Sequence, residues 1–155
     1  MFKAVALRKH REGFTLVELA MVIVIVGVLA SFGVPRFISS VERSKAAEAF
    51  SYLASVRAAQ ERYHAREHAY ADDLADIDIK LAAPKHFTNG LIAAGTTHSL
   101  QDSWTLTLTR SGASAGNGPY TVTFTQDGYD SSHSTIDALP AINPMGSGPV
   151  GGPSR

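Results

Sequence analysis

GFTLVELAMVIVIVGVLASFGVP, residues 13–35, decides how the rest of the chain is read. From Leu19 to Pro35 it holds no charged residue, and the apolar run from Phe14 totals 22 residues. As a helix that run is about 30 Å long, the thickness of a bilayer core. One residue disturbs it. Glu18 places a carboxylate near its start, where membrane insertion costs about 2.5–3.5 kcal/mol unless the group lies at an interface or meets a cation.

Three readings compete. The run is a secretory signal with a small-x-small site at Val28-Leu29-Ala30, cut before Ser31; or a plain membrane anchor; or an anchor cut between Gly13 and Phe14. Glu18 separates them, because signal peptides and simple anchors normally lack such a charge. A cut after Gly13 would create a cation: the new α-amino group of Phe14. In an assembly that amine can pair with Glu18 of a neighbouring subunit. A buried ion pair adds little bulk stability but can fix register.

The flanking residues agree with the third reading. Residues 1–13 carry Lys3, Arg8, Lys9 and Arg11 against Glu12. A basic start before an apolar run suits targeting rather than nucleic-acid binding. Gly13-Phe14-Thr15-Leu16-Val17-Glu18, preceded by Lys9-His10-Arg11-Glu12, resembles the prepilin signature of type IV pilins and of the pseudopilins of type II secretion. Gly27 and Pro35 fall where such pilins carry helix-weakening residues. The resemblance covers about the first 50 residues.

The resemblance implies a function. A prepilin peptidase cuts between Gly13 and Phe14 and N-methylates Phe14. The subunit waits in the bacterial inner membrane, where an assembly platform extracts it into a homo-oligomeric helical filament. The filament is an extracellular pilus or a periplasmic pseudopilus. Thr15, Glu18, Gly27 and Pro35 become assembly residues, and no catalysis, cofactor or metal is implied. A type IV pilus subunit comes first and a type II secretion pseudopilin second. The retained Glu18 and the small head favour a major over a minor pilin.

The totals fit this outline. The 155 residues hold 14 basic and 14 acidic side chains and no cysteine. One modest domain with appendages is expected, without a disulfide framework or a thiolate site. Beyond residue 13 there are 10 basic against 13 acidic side chains. That balance argues against a phosphate-backbone partner, so no nucleic acid is expected.

After Pro35 the apolar residues Ile38, Val41, Ala49, Tyr52, Val56, Ala59 and Tyr63 recur at three- and four-residue intervals. They form one face of an amphipathic helix, with Lys45 as an intruder and Phe37 and Leu53 at the flanks. A kink or melted turn is expected between Gly27 and Pro35. The helix should end near His68. The Asp-rich stretch that follows lacks the glycine turn and terminal glutamate of an EF-hand loop and reads as a solvated acidic loop. Asp127, Asp130 and Asp137 fix no ligand set either. The aromatics Phe14, Phe32, Phe37, Tyr52 and Tyr63 are explained by packing.

His64-Ala65-Arg66-Glu67-His68 fits the inverted zinc-protease pattern H-x-x-E-H. On a helix, His64 and His68 lie one turn apart with Glu67 as base, the basis of a rival reading as a membrane-anchored zinc hydrolase. A catalytic site also needs a third ligand and a walled cleft. Two histidines in a last helical turn are explained as well by the macrodipole.

Residues 104–109 and 120–125 alternate apolar and threonine positions around the turn-rich stretch RSGASAGNGP. They predict an antiparallel hairpin whose face of Trp104, Leu106, Leu108, Tyr120, Val122 and Phe124 covers the helix. The Thr face should meet water or other subunits. Residues 87–92 and 134–138 are weaker strand candidates. The expected fold is α+β: a long N-terminal α-helix, apolar in its first half and amphipathic in its second, packed against a small antiparallel β-sheet head. The expected segments are a leader (1–13), an apolar transmembrane or filament-core helix (14–35), an amphipathic helix (36–68), a β-sheet head (69–145) and a Gly/Pro tail (146–155).

Overall fold

The computed structural model describes residues 13–112 and 116–146. The expected leader, except Gly13, and the expected tail, except Gly146, lie outside the described residues. The chain divides into two compact units, Met1–Arg36 and Phe37–Arg155, and each is taken by itself.

In the first unit, every described residue is exposed. Helix α1 (Leu16–Glu67, 52 residues) begins here and continues into the second unit. It is long and apolar enough to cross a membrane. The helix runs without a break through Gly27, Gly33 and Pro35, so the melted turn expected there does not form. Pro35 deletes one intrahelical hydrogen bond. The helical turns on either side hold the remaining ladder, because propagation is far cheaper than nucleation.

In the second unit, residues 37–67 of α1 pack on one face of a small sheet. Strands β1 (Phe87–Asn89), β2 (Ala93–Ala94), β3 (Trp104–Arg110), β4 (Thr121–Thr125) and β5 (Gly128–Tyr129) are ordered β1-β3-β4-β5, with β2 also paired to β3. All pairings are antiparallel. The expected hairpin forms with Leu106 opposite Phe124 and Leu108 opposite Val122, so the period-two pattern does set the buried face. Of the candidate at residues 87–92, Phe87–Asn89 forms a strand and residues 90–92 do not. Residues 134–138 do not form a strand: Thr135–Ala138 is a 3₁₀ turn.

The core lies between this sheet face and the helix. Leu53 and Val56 on α1 and Trp104, Leu106, Leu108 and Val122 on the sheet are fully buried, each worth about 1.5–3 kcal/mol or more by area removed from water. Phe50 meets Phe124 edge-on at 5.8 Å and Tyr129 at 4.9 Å. The buried helix face is not quite the expected stripe. Glu42, Ala46, Leu53 and Gln60 join the buried set, while Ile38 and Val41, in the lower turns expected to meet other subunits rather than the head, are exposed. Leu53 belongs to the centre of the contact rather than its flank.

Gly90 marks a place where backbones meet closely. A Cβ there would sit 2.8 Å from the Thr107 carbonyl oxygen, the same atom that accepts the Gly90 N–H at 2.9 Å. Only glycine allows that approach.

Candidate assembly segment and head lock

Thr15 stands at the N-terminus of α1, and its hydroxyl accepts the Glu18 backbone N–H at 3.2 Å. Its carbonyl accepts the Leu19 N–H at 3.2 Å. Thr15 is therefore the N-cap, and Glu18 occupies the third helical position, where a carboxylate also favours the positive end of the helix dipole. The T-x-x-E spacing of a capping box was in the sequence to be found. Gly13 and Phe14 precede the helix in non-regular backbone, with Phe14 80% exposed. Gly27 and Pro35 lie inside α1, with nothing within 4 Å of a Cβ built on Gly27.

The apolar side chains of α1 from Leu16 through Val34 are exposed, and in the head Phe37, Ile38 and Val41 extend the exposed set. An exposed apolar patch of this kind marks a site of membrane or protein contact.

Higher on the helix, polar residues do the fastening. The Glu42 carboxylate accepts from Arg110 Nε at 2.6 Å, Arg110 Nη2 at 3.2 Å, Tyr120 Oη at 3.0 Å and Lys45 Nζ at 3.2 Å. Burial would raise the Glu42 pKa, but the hydrogen bonds from Arg110, Tyr120 and Lys45 outweigh it and hold it below the ordinary carboxylate value. The same bond to Glu42 raises the pKa of Arg110, and burial raises that of Tyr120. Lys45, the intruder on the apolar stripe, is a partner of this cluster.

At the other end of the helix contact, buried Gln60 acts as a strand would. Its Nε2 donates to the Ala71 carbonyl and its Oε1 accepts the Ala71 N–H, both at 2.9 Å. This pins the chain just after α1. Tyr70 is buried, and its N–H donates to the Leu100 carbonyl at 2.7 Å.

The C-terminal part of the head is held by hydroxyls. Ser134 Oγ accepts the buried Thr123 N–H at 2.8 Å, and Thr123 Oγ1 donates to the His133 carbonyl at 3.0 Å. Thr135 Oγ1 accepts the Thr121 N–H at 2.8 Å, and Thr121 Oγ1 accepts the Thr135 N–H at 3.1 Å. Buried Asn143 donates to Asp137 at 3.2 Å. The Thr face expected to meet water is thus partly covered by residues 131–138, with Thr123 buried. Asp130 fastens the turn between, accepting from Ser132 and His133. Burial would raise its pKa, yet those hydrogen bonds lower it.

Of the H-x-x-E-H pattern, His64 and Glu67 lie within α1 and His68 lies just beyond its end, with a positive φ of 58°. His64 Nε2 lies 2.9 Å from the Gln101 carbonyl, to which it can only donate, and its ring stacks on Tyr70 at 4.4 Å. That nitrogen is then unavailable to a metal. Among the described residues, no group of three or more His, Asp or Glu side chains is arranged to hold a metal ion. Asp73 instead caps a 3₁₀ turn at Leu74–Asp76, accepting the Ala75 N–H at 2.9 Å.

Two family models match the chain. The model described as "Type IV minor pilin ComP, DNA uptake sequence receptor" matches residues 35–140. The prokaryotic N-terminal methylation motif matches residues 8–34. Among curated relatives, the chain is 33% identical to the fimbrial protein EcpC of Eikenella corrodens over 92 residues, covering 58% of this chain and 60% of that one. It is 40% identical to the type IV major pilin protein PilA of Myxococcus xanthus over 63 residues, 41% of this chain and 29% of that one. It is 30% identical to the type II secretion system core protein G of Pseudomonas aeruginosa over 77 residues, 50% of this chain and 54% of that one. The matches thus span less than two thirds of the length of these relatives.

Proposed function

We propose a function from one premise: the chain belongs to the family of the type IV minor pilin ComP, within the type IV pilins. It is a structural subunit of a type IV pilus filament. The prepilin peptidase cuts between Gly13 and Phe14, and the Phe14 amine is methylated. Residues 14–35 then serve as membrane anchor before assembly and as filament core after it. Residues 36–145 supply the upper helix and the head. Glu18 neutralises the N-terminal amine of a neighbouring copy, with Thr15 setting the start of its helix. Gly27 and Pro35 adjust the helix during extraction by the assembly platform. The subunit passes from the inner membrane to an extracellular pilus. As in the named relatives, which are pilins and secretion core proteins, its work is structural rather than enzymatic.

One observation carries this reading. The methylation motif at residues 8–34 coincides with the apolar surface that the chain itself leaves uncovered. A pseudopilin of type II secretion is the second reading, favoured by the kinship to core protein G. The family description also names a DNA uptake sequence receptor. Residues 37–146 of this chain hold eight basic against twelve acidic side chains, a balance that offers a phosphate backbone no net attraction. The filament role does not depend on DNA.

The test is the intact mass and N-terminal peptide map of the mature protein from its native host. A start at N-methylated Phe14 is expected, and imaging of sheared filaments then separates pilus from pseudopilus. A start at Ser31, or an intact Met1, overturns the reading.

A further inference from the structure

Two recesses lie side by side on the head where the upper turns of α1 meet the chain that follows it. Their volumes are about 440 and 420 Å³, and both are bounded by Arg62 and Asp78. Arg66 lines one and Lys80 the other, over a floor of small residues such as Ala58 and Ala65. Arg62 is held against the wall by donating to the Asp78 carbonyl at 3.0 Å. The result is a groove with three cations, Arg62, Arg66 and Lys80, against one carboxylate, Asp78.

None of the three has a carboxylate within ion-pair distance among the described residues, where the ion pairs are Lys45–Glu42, Arg110–Glu42 and His133–Asp130. Nearby in sequence, Asp72, Asp73 and Asp76 are exposed and equally without an ion-pair partner. Their loop is not free to swing toward the groove. Gln60 pins Ala71 before it, Asp73 caps its turn, and Ile77 is buried after it. The chain thus presents opposite charges on fixed supports that do not satisfy each other within one copy.

A helical filament of identical subunits needs heterologous contacts, in which two different patches of the same chain meet. We propose that the groove of Arg62, Arg66 and Lys80 receives the Asp72–Asp73–Asp76 loop of a neighbouring copy. This proposal rests on the filament reading. Exposed pairs are individually weak, but a network across a repeated interface acts at every subunit, and salt screens it.

The test uses the full-length chain in its native host, with the fraction of subunits recovered as sheared filament as the readout. Reversing the groove (Arg66→Glu with Lys80→Glu), or the loop (Asp72→Lys with Asp76→Lys), should each lower recovery roughly tenfold. Raised salt should shrink both defects as repulsion is screened. Joining the two reversals in one chain should restore recovery. The milder Arg66→Ala with Lys80→Ala variant, checked by thermal melting, gives the same direction should a reversal fail to fold. Unchanged recovery in both reversals, or a combined variant as defective as either alone, overturns the pairing and leaves the filament reading standing. No filaments from the unmodified chain overturns both. Loss of double-stranded DNA binding in the groove reversal, with filaments unchanged, overturns the pairing and gives the groove to nucleic acid.

Discussion

Arg110 Nε lies 2.6 Å from Glu42 Oε1, and each side chain is only 1% exposed. This contact joins helix α1 to the end of strand β3 across 68 residues of sequence. Breaking it from one side leaves a buried charge unmatched, so Glu42→Ala or Arg110→Ala should cost about 3–5 kcal/mol. Replacing both with methionine should recover much of that loss, because desolvation of the pair is removed along with its attraction. Chemical unfolding of the detergent-solubilised subunit measures both.

Two hydrogen-bonded carboxylates, one in this cluster and one in the turn after β5, give the head an acid limit. Glu42 has a folded pKa below its ordinary 4.5, and Asp130 one below its ordinary 3.8. Their contribution is fully present above those ordinary values and is lost as pH falls through the folded ones. The unfolding midpoint should therefore be insensitive to these two groups from pH 5 upward and drop below about pH 4.5. Glu42→Gln should lower stability at neutral pH and flatten the acid limb. An acid limb as steep as that of the unmodified chain would count against the assignment.

Gln60 holds both backbone groups of Ala71, which is 2% exposed. Gln60→Ala strands a buried donor and a buried acceptor, at about 1–3 kcal/mol for each group left unmade. The loop after α1 should loosen first. Hydrogen exchange at the Ala71 amide, compared with amides in β3, reads that directly.

Ser134→Ala removes the acceptor of the Thr123 N–H and one of the hydroxyl contacts that hold residues 130–146 on the sheet. The expected loss is about 1–3 kcal/mol, with earlier proteolytic cleavage within that segment. A cysteine-free chain needs such contacts to close its C-terminal region. An unchanged cleavage pattern would show that Thr135 and Asn143 suffice.

At the start of α1 the two side chains should separate by effect. Thr15→Ala removes the cap at about 1 kcal/mol, and filament recovery should fall in part. Glu18→Ala should spare leader cleavage yet abolish filaments or proper methylation of Phe14. Normal filament recovery from Glu18→Ala would end the amine-pairing account.

Much was legible in the sequence because it depends on local pattern. The uncharged run to Pro35, the basic flank, the Thr-alternating hairpin and the helix end near His68 each follow from spacing and periodicity. The N-terminal methylation motif was legible for the same reason: Gly13, Phe14 and Glu18 stand in one short stretch. Glu42, Gln60 and Ser134 were not. A helical wheel assigns charged and amide side chains to water, and their burial depends on Arg110, Ala71 and Thr123, which the fold brings to them. The strand expected at residues 134–138 failed similarly, because side-chain hydroxyls there replace the backbone pairing of a strand. The sequence alone determined a chain with a membrane-length apolar helix, a processing pattern and a hairpin head. Tertiary structure decided how the head closes without a disulfide and which charges it leaves unmatched on its surface, because the worth of a polar group is set by whether a partner meets it once water is gone.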